Sequence, residues 1–432
     1  MTSKTTTVRP LMLLKERDFS LLLIGQFISA LGDKLHYIAL GVLVYRLTGS
    51  ALEVGKIALV TFLPYLLFGL IAGAYVDRWN KKRTMVLADL LRAGLVSLIP
   101  LMIGYSLNLV YLVAFLSTTA NLFFGPAKMA VIPTLFNKEK ILAATSLAES
   151  AENVTEIIGY ALAGVITVLM RIENVFYLDA LTFLVSAGSI LAMHFRFEAD
   201  EPETGTDKDA VTDAENHADT NTATPNIFQD IREGLAYIRQ TRLLAVTLLT
   251  YCLVLLLFSG FNPLIFVYAL KALGVTPVGL GVLEATAAVG ITVGSLGISI
   301  WGGRFKKENL ILSGYVLSGL IILLLGIYPW YPLALAGFFL TGISNAMFLL
   351  PIQSLFQEET AAPMRGRVFS ARFALTRVAY MGSVAAMSLA ANHVGVEKTY
   401  LASGLALLMV SLVLVGVRAR PGGPSTTGPK AA

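Results

Sequence analysis

About twelve stretches of roughly 20 mostly apolar residues run through this sequence, and they limit what it can fold into more than any other feature. Coiled as a helix, each matches the ~30 Å hydrocarbon layer of a bilayer. They fall at 19–44, 55–76, 84–105, 109–133, 143–169 and 174–195, then at 243–269, 278–301, 309–328, 333–356, 368–391 and 399–417. The expected fold is an all-α membrane protein with twelve transmembrane helices in two pseudo-symmetric six-helix bundles, 1–196 and 242–432, joined by a linker at 197–241. Of its 432 residues only 14% are charged, against roughly 25% in soluble domains. That excludes a soluble enzyme, a secreted disulfide scaffold, a disordered chain and a nucleic-acid binder. The single cysteine, Cys252, permits no internal disulfide and no cysteine metal cluster. The first apolar stretch is too long for a signal-peptide core and lacks a small-residue cleavage site after it, so no cleavable signal is expected.

Lys and Arg set the expected orientation. Alternate loops carry Lys4, Arg9, Lys15 and Arg17; Arg78, Lys81, Lys82 and Arg83; Lys138 and Lys140; Arg232, Arg239 and Arg242; Arg304, Lys306 and Lys307; Arg365 and Arg367; Arg418 and Arg420. The opposite loops hold little beyond Arg46, Arg171, Lys271 and Lys398. Both termini and the linker are therefore expected in the cytoplasm of a multi-pass cell-membrane protein. Within the linker, 198–225 is acidic, Thr-rich and almost free of large apolar side chains, the composition of a disordered tether. Ile227, Ile231, Leu235 and Ile238 then share one helical stripe behind Asn226, a plausible N-cap, and predict an interfacial helix on the inner leaflet.

A short charged loop occurs twice. After span two the chain reads Gly73-Ala-Tyr-Val-Asp77-Arg78-Trp-Asn-Lys81-Lys82-Arg83, and after span eight Gly297-Ile-Ser-Ile-Trp-Gly302-Gly303-Arg304-Phe-Lys306-Lys307. The second copy keeps glycines and bases but lacks the acid. Equivalent positions in two six-span halves indicate internal duplication.

This loop resembles the signature of the major facilitator superfamily, and the twelve-span layout is similar to that superfamily over nearly the whole chain. Gly32-Asp33, FFGPAKMAVIP at 123–133, YLDALTF at 177–183, REGLAYIR at 232–239 and RGRVF at 365–369 resemble the branch of enterobactin exporters and macrolide efflux pumps. QFISALGDK, GPAK and LPIQSLFQE are similar to bacterial lysophospholipid transporters as well. The resemblance implies alternating access and export of an amphipathic organic solute, of drug or siderophore type, in exchange for protons. It also implies that Gly73, Asp77, Arg78, Lys82 and Arg83 act as a conformational switch loop. Drug antiporters of the superfamily carry a Gly-Pro pair in span five where this chain has Gly159-Tyr160, which leaves the direction of transport open.

Ionisable side chains inside spans cost about 2.5–3.5 kcal/mol on insertion scales and usually face a bundle interior. In span one, Gln26, Ser29, Asp33, His36 and Tyr37 form one polar stripe. Glu149, Glu152, Asn153 and Glu156 share a face of span five at i, i+3, i+4 and i+7. Glu284 lies two turns into span eight, with a cationic partner expected either on the substrate or at Arg377 in span eleven, while Arg372 is read as structural. Asp33, Glu149, Glu152, Glu156 and Glu284 are the proton-coupling candidates; Gln26, His36, Tyr37, Asn262 and Arg377 are the substrate-cavity candidates. Asp89 and Arg92 read as braces for the cytoplasmic loop. Asn262-Pro263, Pro64 and Pro351 are expected helix breaks, and Phe261, Phe266, Tyr268, Tyr315, Phe338 and Phe348 are candidate cavity aromatics, with lipid or packing contact the commoner role for such residues.

The stretch Gly49 to Ile57 superficially resembles a phosphate loop but has one residue too many between its glycines and Ile in place of Ser or Thr. No nucleophile elbow, HExxH or dinucleotide fingerprint occurs. The chain is thus expected to be no enzyme, with no catalytic or metal-ligating residues and no cofactor. Its expected partners are a small-molecule or lipid-like substrate, protons and membrane lipids, with no nucleic acid, and a monomer is the expected state. The alternatives are a lysophospholipid flippase and a transporter-like sensor or scaffold.

Overall fold

A computed structural model describes residues 10–194 and 227–419. Twelve of its helical segments are long and apolar enough to cross a membrane. In the first half these are α1 (Arg17–Thr48), α2 (Ala51–Arg78), α3 (Lys81–Ile103), α4 (Leu107–Leu135), α5 (Lys138–Leu169) and α6 (Ile172–Leu191). A short helix, α7 (Ile227–Gln240), precedes the second half. That half begins with α8 (Arg242–Phe258) and α9 (Phe261–Val267), followed by a π-helical turn over Tyr268–Ala272. It continues with α10 (Pro277–Trp301), α11 (Lys307–Ile327), α12 (Tyr331–Glu358), α13 (Arg365–Val394) and α14 (Val396–Ala419).

The helix limits have local causes. Ser50 caps α2 by accepting the Glu53 N–H at 3.3 Å, and Asn80 caps α3 by accepting that of Arg83 at 3.0 Å. Gly49, at φ 62°, lets α1 turn directly into α2. Bulky side chains such as Leu405, Met409 and Leu412 on α14 point outward, the stripe expected of a lipid-facing surface.

Within the first half α1 packs on α5 and α6, α3 on α4 and α6, and α2 on α4. In the second half α10 packs on α12, α11 on α12 and α14, and α13 on α8 and α14. The halves meet along α5–α10 and α2–α13, with α9 set against α1 and α2. Glycine permits the first of these crossings. A methyl group at Gly164 would sit 2.6 Å from the Pro277 carbonyl oxygen, and one at Gly281 would strike that of Tyr160.

Three expectations change. Pro64 and Pro351 lie inside continuous helices rather than at breaks; close neighbours hold those turns. The interruption in span seven is real but falls at Ser259-Gly260, where the Gly260 N–H donates to Ser383 Oγ at 2.8 Å. The stripe of α7 faces protein rather than the leaflet alone. Ile238 is buried, and α7 lies on α13 and α8 with Gly234 against the Arg367 backbone. Arg367 binds Asp230 at 3.2 Å and Glu233 at 2.8 Å. The acidic tether and the Asn226 cap lie outside the described residues.

Candidate functional site

The polar stripe of α1 is the axis around which the interior is built. Two turns inward from Gln26, which donates to Ser186 Oγ at 3.1 Å, Asp33 forms an ion pair with Arg92 of α3. The Arg92 guanidinium lies 3.9 Å over the Phe183 ring and is 8% exposed, whereas Asp33 is 41% exposed to the interior space. Next along the stripe, His36 Nδ1 is 3.0 Å from Asp179 Oδ2 on α6. Asp179 has no exposed surface, and the two atoms lie within ion-pair distance without hydrogen-bond geometry.

Arg92 is therefore not a brace for the loop. It turns into the bundle, and Asp89 one turn earlier is fully buried. Lys34 and Tyr37, on the side of α1 facing α5 and α10, complete the constellation. Lys34 Nζ is 2.9 Å from Glu156 and 4.8 Å from the centre of the Tyr160 ring. The Tyr37 hydroxyl lies 3.0 Å from Asn262 Oδ1 and 3.2 Å from Glu284 Oε1. Tyr37 thus joins the two halves of the molecule.

Of the two partners expected for Glu284, Arg377 is ruled out, and the contact within the protein is another. It is Tyr37, with Lys34, Glu156, Tyr160 and Tyr400 as the other titratable groups around it. Arg377 instead lies over the rings of Phe62 and Phe373, at 4.6 and 4.5 Å. The crowded face of α5 is also relieved: Glu152 pairs with Lys128 of α4 and Glu156 with Lys34, while Glu149 is exposed.

Three connected cavities occupy the interior. One, of about 430 Å³, is lined by Gln26, Asp33, Lys34, Lys128, Glu152 and Glu156. A second, of about 320 Å³, shares Asp33, Tyr65, Arg92 and Asn121 with it and adds His36, Tyr37, Asn262 and Phe266. The third, of about 410 Å³, holds Arg372 and Arg377 and meets the second at Tyr380. Of the aromatic candidates only Phe266 reaches these spaces; Tyr268, Tyr315 and Phe348 are packed core residues.

Among the described residues, hydrogen bonds and ring contacts between the halves lie from mid-membrane toward the end bearing Gly49 and Gly395. They include Ser50 Oγ to Asn392 at 3.0 Å, Tyr37 with Asn262, and the Phe62–Tyr380 stack at 4.4 Å. That end is closed.

Of the loop expected to act as a switch, the surroundings of Gly73 and Asp77 lie outside what is described. Arg78 and Arg83 are exposed, and Lys82 donates to the Leu191 and Met193 carbonyls at 3.0 and 2.6 Å. Its counterpart Lys307 pairs with Glu358 and donates to Ser354 Oγ at 2.8 Å. The second copy therefore recruits its acid from α12. Lys128 and Asp179 are the site residues that sequence reasoning passed over, while Arg92 was read only as a brace. A basic residue inside GPAK and an acid inside YLDALTF were the available signals.

Twelve membrane-crossing helices in two packed sets of six, enclosing ion-paired cavities closed at one end, define a multi-pass membrane protein with the architecture of a carrier. The profile of the Major Facilitator Superfamily matches residues 22–268 and 247–432, and the chain belongs to that superfamily. Macrolide efflux protein A of Streptococcus pyogenes is 25% identical over 399 residues, covering 90% of this chain and 93% of that protein. The multidrug efflux pump Tap of Mycolicibacterium fortuitum is 25% identical over 412 residues, covering 93% and 96%. The crystal structure of the nucleoside transporter NupG superposes with a TM-score of 0.74 at 11% identity, over 94% of this chain and 100% of that one. At that identity the likeness establishes the fold.

Proposed function

We propose that the protein is a secondary transporter that exports an amphipathic organic solute in exchange for protons. The bundles 1–196 and 242–432 rock about the central cavity, and both termini lie in the cytoplasm. The observation that carries this reading is the bridge from Tyr37 to Asn262 and Glu284, made by a single phenolic proton facing two acceptors across the seam of the halves. When the Glu284 carboxylate is charged, it and the Asn262 oxygen compete for that proton. When Glu284 is protonated it donates to Tyr37, Tyr37 donates to Asn262, and every group is satisfied. Proton binding then holds the closed end shut, and proton loss weakens the seam where the halves must part.

The efflux functions named for the macrolide and multidrug relatives support the direction of transport. The basic loops at the open end support a cytoplasmic entrance. Energy comes from the proton gradient, and the ion pairs of Asp33, Glu152 and Glu156 keep the cavity wall polar and hydrated.

The test is transport by purified protein in proteoliposomes under an imposed pH gradient, with a cationic drug, a catecholate siderophore and a lysophospholipid as substrates. Gradient-driven movement of the first or second supports the reading. Movement of the lysophospholipid alone, without response to the gradient, replaces it with a flippase.

A further inference from the structure

The charges of the interior are unevenly balanced. In the first half each cavity cation has a carboxylate: Lys34 has Glu156, Arg92 has Asp33 and Lys128 has Glu152. Arg372 and Arg377, five residues apart on α13 and so separated by about 7.5 Å along its axis, line one cavity and pair with no carboxylate among the described residues. The titratable groups around them are Tyr65, Tyr251 and Tyr380, phenols that carry no charge near neutrality.

Both guanidinium groups lie over aromatic rings. Arg372 lies over Phe356 and Phe369, at 5.1 and 5.5 Å, and Arg377 over Phe62 and Phe373. A ring contact uses none of a guanidinium's N–H donors, and that N–H edge matches two oxygens of a carboxylate or phosphate. Arg372 Nη1 is buried and has no hydrogen-bond partner. A buried donor without an acceptor, on a residue that lines a cavity of about 410 Å³, leaves a hydrogen bond unmet beside that cavity.

We propose that Arg372 and Arg377 form an anion receptor, so that the transported solute is an amphiphile carrying a carboxylate or phosphate beside an aromatic or alicyclic body. The acidic group binds the N–H edges, and the apolar body lies along Phe373 and Tyr380 toward the central cavity. The proposal rests on the transport reading for the solute's passage, but its test is one of binding.

Purified full-length protein in an uncharged detergent is titrated with two matched xanthene dyes, anionic carboxyfluorescein and cationic rhodamine 123, by fluorescence anisotropy. The wild type is expected to bind carboxyfluorescein at least tenfold more tightly. The Arg372→Gln/Arg377→Gln variant should lose at least tenfold for carboxyfluorescein and stay within twofold for rhodamine 123. The Arg372→Lys/Arg377→Lys variant should retain part of the preference. Displacement of the dye by lysophosphatidylglycerol but not lysophosphatidylcholine would support a lipid as the source of the anion; displacement by neither would support a soluble one. A wild type that prefers rhodamine 123 or does not discriminate overturns the proposal even if the variants fail to fold. So does a glutamine variant that binds carboxyfluorescein as the wild type does, or a site that takes inorganic phosphate and neither dye. Selective binding without gradient-driven transport would leave the receptor standing and remove the antiporter.

Discussion

Asp33 and Arg92 meet inside the first bundle as an ion pair with one partner in the cavity and the other packed under Phe183. The asymmetry determines what happens when each is removed. Asp33→Asn leaves a nearly buried guanidinium without its counter-charge, a loss of about 1–3 kcal/mol given the water that reaches Asp33. Thermal unfolding in detergent should show a lower melting temperature for Asp33→Asn, partly recovered in Asp33→Asn/Arg92→Gln. Additive losses in the double variant would mean that the two groups act separately.

Glu284→Gln removes the carboxyl proton from the Tyr37 bridge while keeping its size. Gradient-driven transport should fall at least tenfold, and solute exchange with no pH difference should persist, because exchange needs no net proton movement. In the wild type the export rate should rise as the outer pH falls, since outer protons load the site and inner alkalinity unloads it. An export rate for Glu284→Gln that still follows outer pH would take Glu284 out of the coupling.

The α5–α10 crossing tolerates no added side chain. Gly281→Leu would push its side chain into the Tyr160 backbone and hold the closed end apart. With Cys252→Ser as the starting chain, Ala58→Cys, at a position that lines the second cavity, should become reactive to a membrane-impermeant maleimide from outside only when Gly281→Leu is present, and Gly281→Leu should stop transport. Unchanged labelling would show that the crossing has slack.

Arg367 joins α7 to α13 through two exposed acids, and exposed pairs contribute little, about 0.2–1 kcal/mol each. Arg367→Ala should therefore lower stability by no more than about 2 kcal/mol, with the difference shrinking as salt is added. Melting curves at low and high ionic strength would show it, and a larger, salt-independent loss would mean that Gly234 packing on the Arg367 backbone dominates.

The twelve spans were readable because bilayer thickness imposes a length on every apolar run, and the α1 stripe was readable because helical spacing aligned Gln26, Asp33, His36 and Tyr37. What the sequence concealed was partnership. Arg92 looked like a loop residue since nothing in its own helix says that α1 passes beside it. Arg377 looked like the match for Glu284 on charge alone, yet α13 turns it toward Phe62 and leaves the acid to a neutral phenol. Pro64 and Pro351 looked like breaks because the neighbours that hold a proline turn inside a bundle belong to other parts of the chain. Local pattern fixes which face of a helix is polar; it does not say what that face meets.

The docking of α7 on α13 decides to which side of the molecule the connector is attached. A polypeptide cut between His194 and Ile227 would leave the later fragment with its amphipathic lead helix already seated and the earlier one with all its own neighbours. The two pieces, expressed from separate messages, should find each other through the α5–α10 and α2–α13 seams and rebuild a working carrier.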